Sequence, residues 1–139
     1  MTSAEVSLVD TSVAVAIVVA DHDAHERSVD YVAGTELGLA GHAFFETYSV
    51  ITRLPAPLRR SPVEVAEILA HNFPNSRFLG ASEARDLSNA AAASGIAGGS
   101  VYDALVGACA REHGLRLLSR DTRAADVYRA LGVDFDLLA

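Results

Sequence analysis

The chain has 139 residues, half of them hydrophobic, which suits one domain with a core of its own. It carries 11 basic and 18 acidic residues for a formal net charge of -7, and every basic residue is Arg. The absence of Lys excludes chemistry that needs an amine, and the negative balance excludes an overall basic field for nucleic acid, leaving local Arg or bound cations to attract a polyanion.

Val6-Ser7-Leu8-Val9-Asp10 reads as a buried strand, Thr11-Ser12 as a turn, and residues 13–20 as an apolar helix. Residues 21–32 are predicted to form a polar helix ended at Gly34, and residues 37–40 a second strand. Gly41-His42 leads into a helix over 43–54, stopped by Pro55-Ala56-Pro57. Ser61-Pro62-Val63-Glu64 is a helix start with a Ser cap, a proline at the first position and an acid three residues after the cap, and that helix runs to Asn72. Residues 73–79 read as a turn and a short strand, and a helix from Ser82 fades into Ala90-Ala91-Ala92-Ala93. After Gly95, Gly98 and Gly99, Ser100 is predicted to cap a helix that Gly114 closes. A strand over 115–119, a helix over 122–131 ended by Gly132, and a strand over 133–137 complete the chain. The alternation predicts one α/β domain over 1–139, a three-layer sandwich with a mostly parallel sheet.

No basic segment precedes the first apolar stretch, and the longest apolar run, 13–20, is too short to span a bilayer. The lone Cys109 cannot form an intramolecular disulfide and argues against a thiolate zinc site. These features predict a cytoplasmic protein with neither signal peptide nor membrane anchor.

Function in such sheets gathers beyond the carboxyl ends of the strands. Asp10 stands there between two apolar segments, where a carboxylate is costly unless compensated. It could instead be a helix N-cap, although Thr11 and Ser12 beside it could also serve. Asp103 completes the capping-box pattern Ser100-Val101-Tyr102-Asp103, and Asp121 stands at another strand-to-helix junction as a candidate cap. Glu46 lies on the polar side of its helix with Ser49 and Arg53. Three acids at such junctions can converge on one sheet edge; close carboxylates repel, and oxygen-only ligands suit Mg²⁺ or Mn²⁺. Arg59-Arg60, Arg120 and Arg123 are candidates for gripping phosphates. The five histidines show no tight ligand pairing, and Phe44, Phe45 and Tyr48 read as core or dimer contacts.

Val9-Asp10-Thr11-Ser12 resembles the opening motif of PIN-domain ribonucleases. Phe44-Phe45-Glu46-Thr47-Tyr48-Ser49-Val50 resembles their second motif, and Tyr102-Asp103-Ala104-Leu105-Val106-Gly107-Ala108-Cys109-Ala110 their third. Leu117-Leu118-Ser119-Arg120-Asp121, followed by Ala124 and Tyr128-Arg129-Ala130-Leu131-Gly132-Val133, resembles the fourth, with Ser119 where the family often has Thr. Order and spacing are similar to the VapC toxins of toxin–antitoxin pairs. The resemblance implies a Mg²⁺- or Mn²⁺-dependent endoribonuclease that cuts RNA with metal-activated water and so stops translation. It implies Asp10 and Asp103 as principal metal ligands, completed by Glu46 and Asp121, with Thr11, Ser12 and Ser119 supporting them. A cognate VapB-type antitoxin and a homodimer are implied as well. The alternatives are a non-catalytic PIN-like module that binds RNA or protein, and a phosphotransfer domain; the latter usually relies on a Lys that is absent here.

Overall fold

The computed structural model describes residues 5–139; the reading of residues 1–4 as free of a basic leader lies outside them. Four short strands carry the fold: β1 (Val6–Val9), β2 (Glu36–Leu39), β3 (Arg116–Ser119) and β4 (Phe135–Leu137). All neighbours pair in parallel, in the order β2-β1-β3-β4. Leu8, Val9, Leu39, Leu117 and Leu118 are buried, as expected when helices cover a parallel sheet. The helices are α1 (Thr11–Val18), α2 (His25–Val32), α3 (His42–Thr52), α4 (Pro62–Asn72), α5 (Ala81–Ala93), α6 (Ser100–His113) and α7 (Thr122–Ala130). The result is a three-layer α/β sandwich with one continuous apolar core.

From β1 the chain moves outward to β2, then returns to the other side of β1 to build β3 and β4. The order therefore reverses between β1 and β3. That switch point opens a crevice at the carboxyl ends of the two central strands.

Local signals account for most element ends. The Ser61–Glu64 box closes in both directions, with Glu64 N–H donating to Ser61 Oγ at 3.2 Å and Ser61 N–H to Glu64 Oε1 at 3.2 Å. Gly114 ends α6 in the left-handed region at φ 62°.

Four expectations need correction. The helix expected over 21–32 starts only at His25, because 21–24 form turns in which His22 Nδ1 accepts from Ala24 N–H. The strand expected in 73–79 is a single bridge, Ala40 to Arg77, flanked by Asn75 and Arg77 N–H bonds to Leu37 and Leu39 carbonyls. Gly38 permits this close approach, since a Cβ there would stand 2.1 Å from the Asn75 carbonyl oxygen. The helix expected from Val13 begins at Thr11, with Asp10 itself as N-cap. Ser100 does not cap α6: Gly99 is its N-cap, and no side chain caps that end. Among the described residues, no helix is long and apolar enough to cross a membrane.

Candidate active site at the switch point

The chain turns from β1 into α1 at Asp10 and from β3 into α7 at Asp121, so adjacent parallel strands deliver two carboxylates to one edge. Asp10 is 5 % exposed and caps α1. Its Oδ1 accepts from Val13 N–H at 3.3 Å and from the Ser12 hydroxyl, and its Oδ2 from the Tyr128 hydroxyl at 2.9 Å. Burial pushes the Asp10 carboxyl above its ordinary range, against hydrogen bonds from Ser119, Ser12, Tyr128 and Val13. Asp121 caps α7, its Oδ1 accepting from Arg123 N–H at 2.9 Å and Ala124 N–H at 3.3 Å.

Asp103 lies in the first turn of α6, and because no capping box forms there, its carboxylate is not consumed by a cap. Desolvation, followed by the charges of Asp121, Glu46 and Asp10, pushes it up to about 6, with Arg123 opposing. Glu46, exposed on α3, completes the set. The four acids line one pocket of about 30 Å³ with Thr11, Ser12, Val106 and Tyr128, enough for a water-sized occupant. An open groove of about 340 Å³ continues from it, sharing Asp103 and Asp121 and adding Gly99, Ser100 and Arg123.

The hydroxyls divide their work. Ser12 donates to Asp10 and accepts Arg120 N–H at 2.8 Å, tying α1 to the β3–α7 turn. Ser119, fully buried, accepts Asp121 N–H at 3.1 Å. Thr11 does not hold Asp10: it donates to the Ala43 carbonyl at 3.3 Å and accepts from Thr47 at 3.2 Å. That pair fixes α3, and with it Glu46, beside α1.

Thr47 and Tyr128 were not singled out from the sequence. A buried Tyr on the apolar face of α7 was the available signal, since such a hydroxyl needs a partner. The candidate arginines separate. Arg123 borders the groove, whereas the Arg120 guanidinium has a buried Nε without a hydrogen-bond partner. Arg59 and Arg60 donate to the Leu54 and Pro57 carbonyls, and Arg60 lines a different cleft at the far ends of α1 and α3. Cys109 is buried, its thiol pushed up to about 12 chiefly by burial, and so is no nucleophile.

The donor set fits a hard divalent cation in kind: it is all oxygen, and its like charges already act on one another at Asp103. It is looser than a closed ligand shell, since among the described residues no three His, Cys, Asp or Glu stand in a ready-made coordination group.

Together these features define a small α/β domain with one acidic centre at the switch point of a parallel sheet. The PIN domain family model matches residues 7–130. Over 125 residues the chain is 45 % identical to Ribonuclease VapC27 of Mycobacterium tuberculosis, covering 90 % of this chain and 91 % of that one. Over 131 residues it is 42 % identical to Ribonuclease VapC40 of the same species, covering 93 % and 96 %. The chain belongs to the PIN domain family. Its fold is shared by a chain of VapBC2 from Rickettsia felis, solved bound to a promoter DNA fragment (TM-score 0.70, 11 % identity, 96 % and 99 % covered). It is likewise shared by a chain of DNA-bound VapBC from Salmonella typhimurium (TM-score 0.67, 14 % identity, 96 % and 98 % covered).

Proposed function

We propose that the chain is the toxin of a VapBC-type toxin–antitoxin pair, an endoribonuclease that cuts RNA and so inhibits translation. The observation that carries this reading is the convergence of Asp10, Glu46, Asp103 and Asp121 on one pocket, in a chain 42–45 % identical to proteins named ribonucleases.

Asp10 and Asp103 would hold Mg²⁺ or Mn²⁺, with Glu46 and Asp121 completing the site directly or through water. When bound, the ion supplies Lewis acidity and activates a water for hydrolysis of the phosphodiester. The chain's own residues prepare the ground. Tyr128, Ser12 and the Val13 amide orient Asp10, and the Thr11–Thr47 pair holds the helix that carries Glu46. Arg123, in the groove with Asp103 and Asp121, faces where a phosphate would lie.

VapBC neighbours of the same fold support a VapB-type antitoxin as partner. The exposed rings of Phe45 and Phe78, clustered with Phe44, support a homodimer surface. A translation-linked RNA substrate assigns the protein to the cytoplasm. The looseness of the acid cluster is the observation that favours a non-catalytic RNA- or protein-binding module instead.

End-mapping of bacterial RNA decides between them. Incubation with Mg²⁺ or Mn²⁺ is expected to give discrete cuts, absent with EDTA and in Asp10→Asn and Asp103→Asn. No new ends in intact RNA, with antitoxin absent, overturns the nuclease reading in favour of binding alone.

A further inference from the structure

We propose that His42 and Tyr102 form a stacking platform for an unpaired RNA base beside the phosphodiester to be cut, an inference that rests on the ribonuclease reading. The two rings, from the first turns of α3 and α6, lie nearly parallel, with centroids 4.9 Å apart and planes at 20°. Tyr102 nevertheless remains 51 % exposed, so the stack has room to extend.

Position ties the pair to the acids. His42 is four residues before Glu46 on α3, and Tyr102 four before Val106 on α6, so each ring shares a helix face with a residue of the acidic pocket. One helical turn, about 5 Å, separates them along each helix. Tyr102 is also the neighbour of Asp103 in the chain. A base on this platform would sit within a nucleotide's reach of a phosphate in the groove.

Charge explains why the ligand needs such a platform. With a net charge of -7 and no Lys, the protein gains little from neutralising phosphates. Stacking draws on the π-face that every base has and depends little on net charge. Bases within a duplex already have both faces covered, so the ligand is an unpaired nucleotide, in a loop or single strand. The apolar surface suited to a second copy lies instead at Phe45 and Phe78.

The test uses the full chain carrying Asp103→Asn, so that RNA stays intact, and fluorescence anisotropy with short single-stranded oligoribonucleotides of random sequence. Adding Tyr102→Leu is expected to weaken binding about tenfold, and Tyr102→Phe to keep it within about twofold. Tyr31→Leu, the same change at an exposed tyrosine near the opposite sheet edge, is the control and is expected to bind like its parent. His42→Ala should weaken binding in the same direction, and melting curves verify that each variant is folded. In the cleaving background, Tyr102→Leu should raise KM rather than lower kcat. Binding unaffected by Tyr102→Leu, equal losses in Tyr102→Phe, or no binding by the parent overturns the platform. A change in molecular mass caused by Tyr102→Leu also overturns it, by making this face a contact between copies. Cleavage with unaltered KM in Tyr102→Leu removes the platform but leaves the nuclease; Tyr102-dependent binding without cleavage removes the nuclease but leaves the platform.

Discussion

At Asp103, burial and three neighbouring acids act in the same direction, and the carboxyl is pushed from its ordinary 3.8 up to about 6. A folded-state value above the unfolded one means that the folded protein binds the proton more tightly. The contribution of this proton to metal-free stability is therefore fully present below about pH 4, falls as the pH rises, and is lost above about 6. Asp10, raised by burial, adds a slope of the same sign. Discounted for solvent screening at this half-buried group, the Asp103 contribution is roughly 1–2 kcal/mol. Metal-free Asp103→Asn should accordingly melt about 3–6 °C higher than wild type at pH 7, with a flatter pH profile. A lower melting temperature would refute the picture of a strained acidic cluster. Tyr128 presents the opposite case, a side chain that stabilises the site. Burial and the Asp10 charge push its hydroxyl far up, so it stays a donor to Asp10 Oδ2. Tyr128→Phe keeps the ring in the core but frees that oxygen. Mn²⁺ affinity of the purified protein should fall about 10- to 100-fold, read by titration without any RNA. Unchanged affinity would reduce Tyr128 to packing.

At the scale of elements, what could be read from the sequence was what its signals encode locally. The Ser61–Glu64 box, the stop at Gly114 and the Asp121 start of α7 are each contained within a few residues, and the structure has all three. Ser100-Val101-Tyr102-Asp103 has the same form but fails, because Gly99 already takes the cap position and shifts Ser100 into the helix. Asp103 therefore enters the acidic pocket without a capping bond. At Asp10 and Asp121, capping and membership of the acidic site are not alternatives, since each carboxylate does both. The convergence of Asp10 and Asp121 was legible because parallel strands bring their carboxyl ends to one edge, whereas Asp103 was read at a helix start and Glu46 joined the set through the family resemblance. The supports of the acids were not legible: Tyr128 meets Asp10 across 118 positions and Thr47 meets Thr11 across 36. The absence of a full strand in 73–79 has a similar reason, as the bonds of Asn75 and Arg77 to β2 are non-local and short of a ladder. Gly38 is the sharpest probe of that contact, because the atom a Cβ would strike is backbone. Gly38→Ala should cost about 3 kcal/mol or more and lower the melting temperature by roughly 10 °C. A variant that melts like wild type would mean that the 75–77 segment does not press on β2 in solution.

For the whole molecule, the unusual feature is a negatively charged protein assigned a negatively charged substrate. Counterion release scales with the number of phosphates neutralised, and for single strands the slope of log affinity against log salt is about -0.7 per contact. Arg123 borders the groove and Arg120 precedes it in the turn after β3, whereas Arg59 and Arg60 belong to a loop near another cleft. The single arginine lining the groove gives a slope of only about -0.7, far shallower than basic nucleic-acid binders show. Salt titration of RNA binding by Asp103→Asn, at fixed divalent concentration, should therefore fall near that value. Arg123→Ala should flatten it by about 0.7, and Arg59→Ala should leave it unmoved. A slope steeper than about -4 would mean that RNA tracks across surface beyond this groove, and the Arg59–Arg60 loop would then be the first place to look.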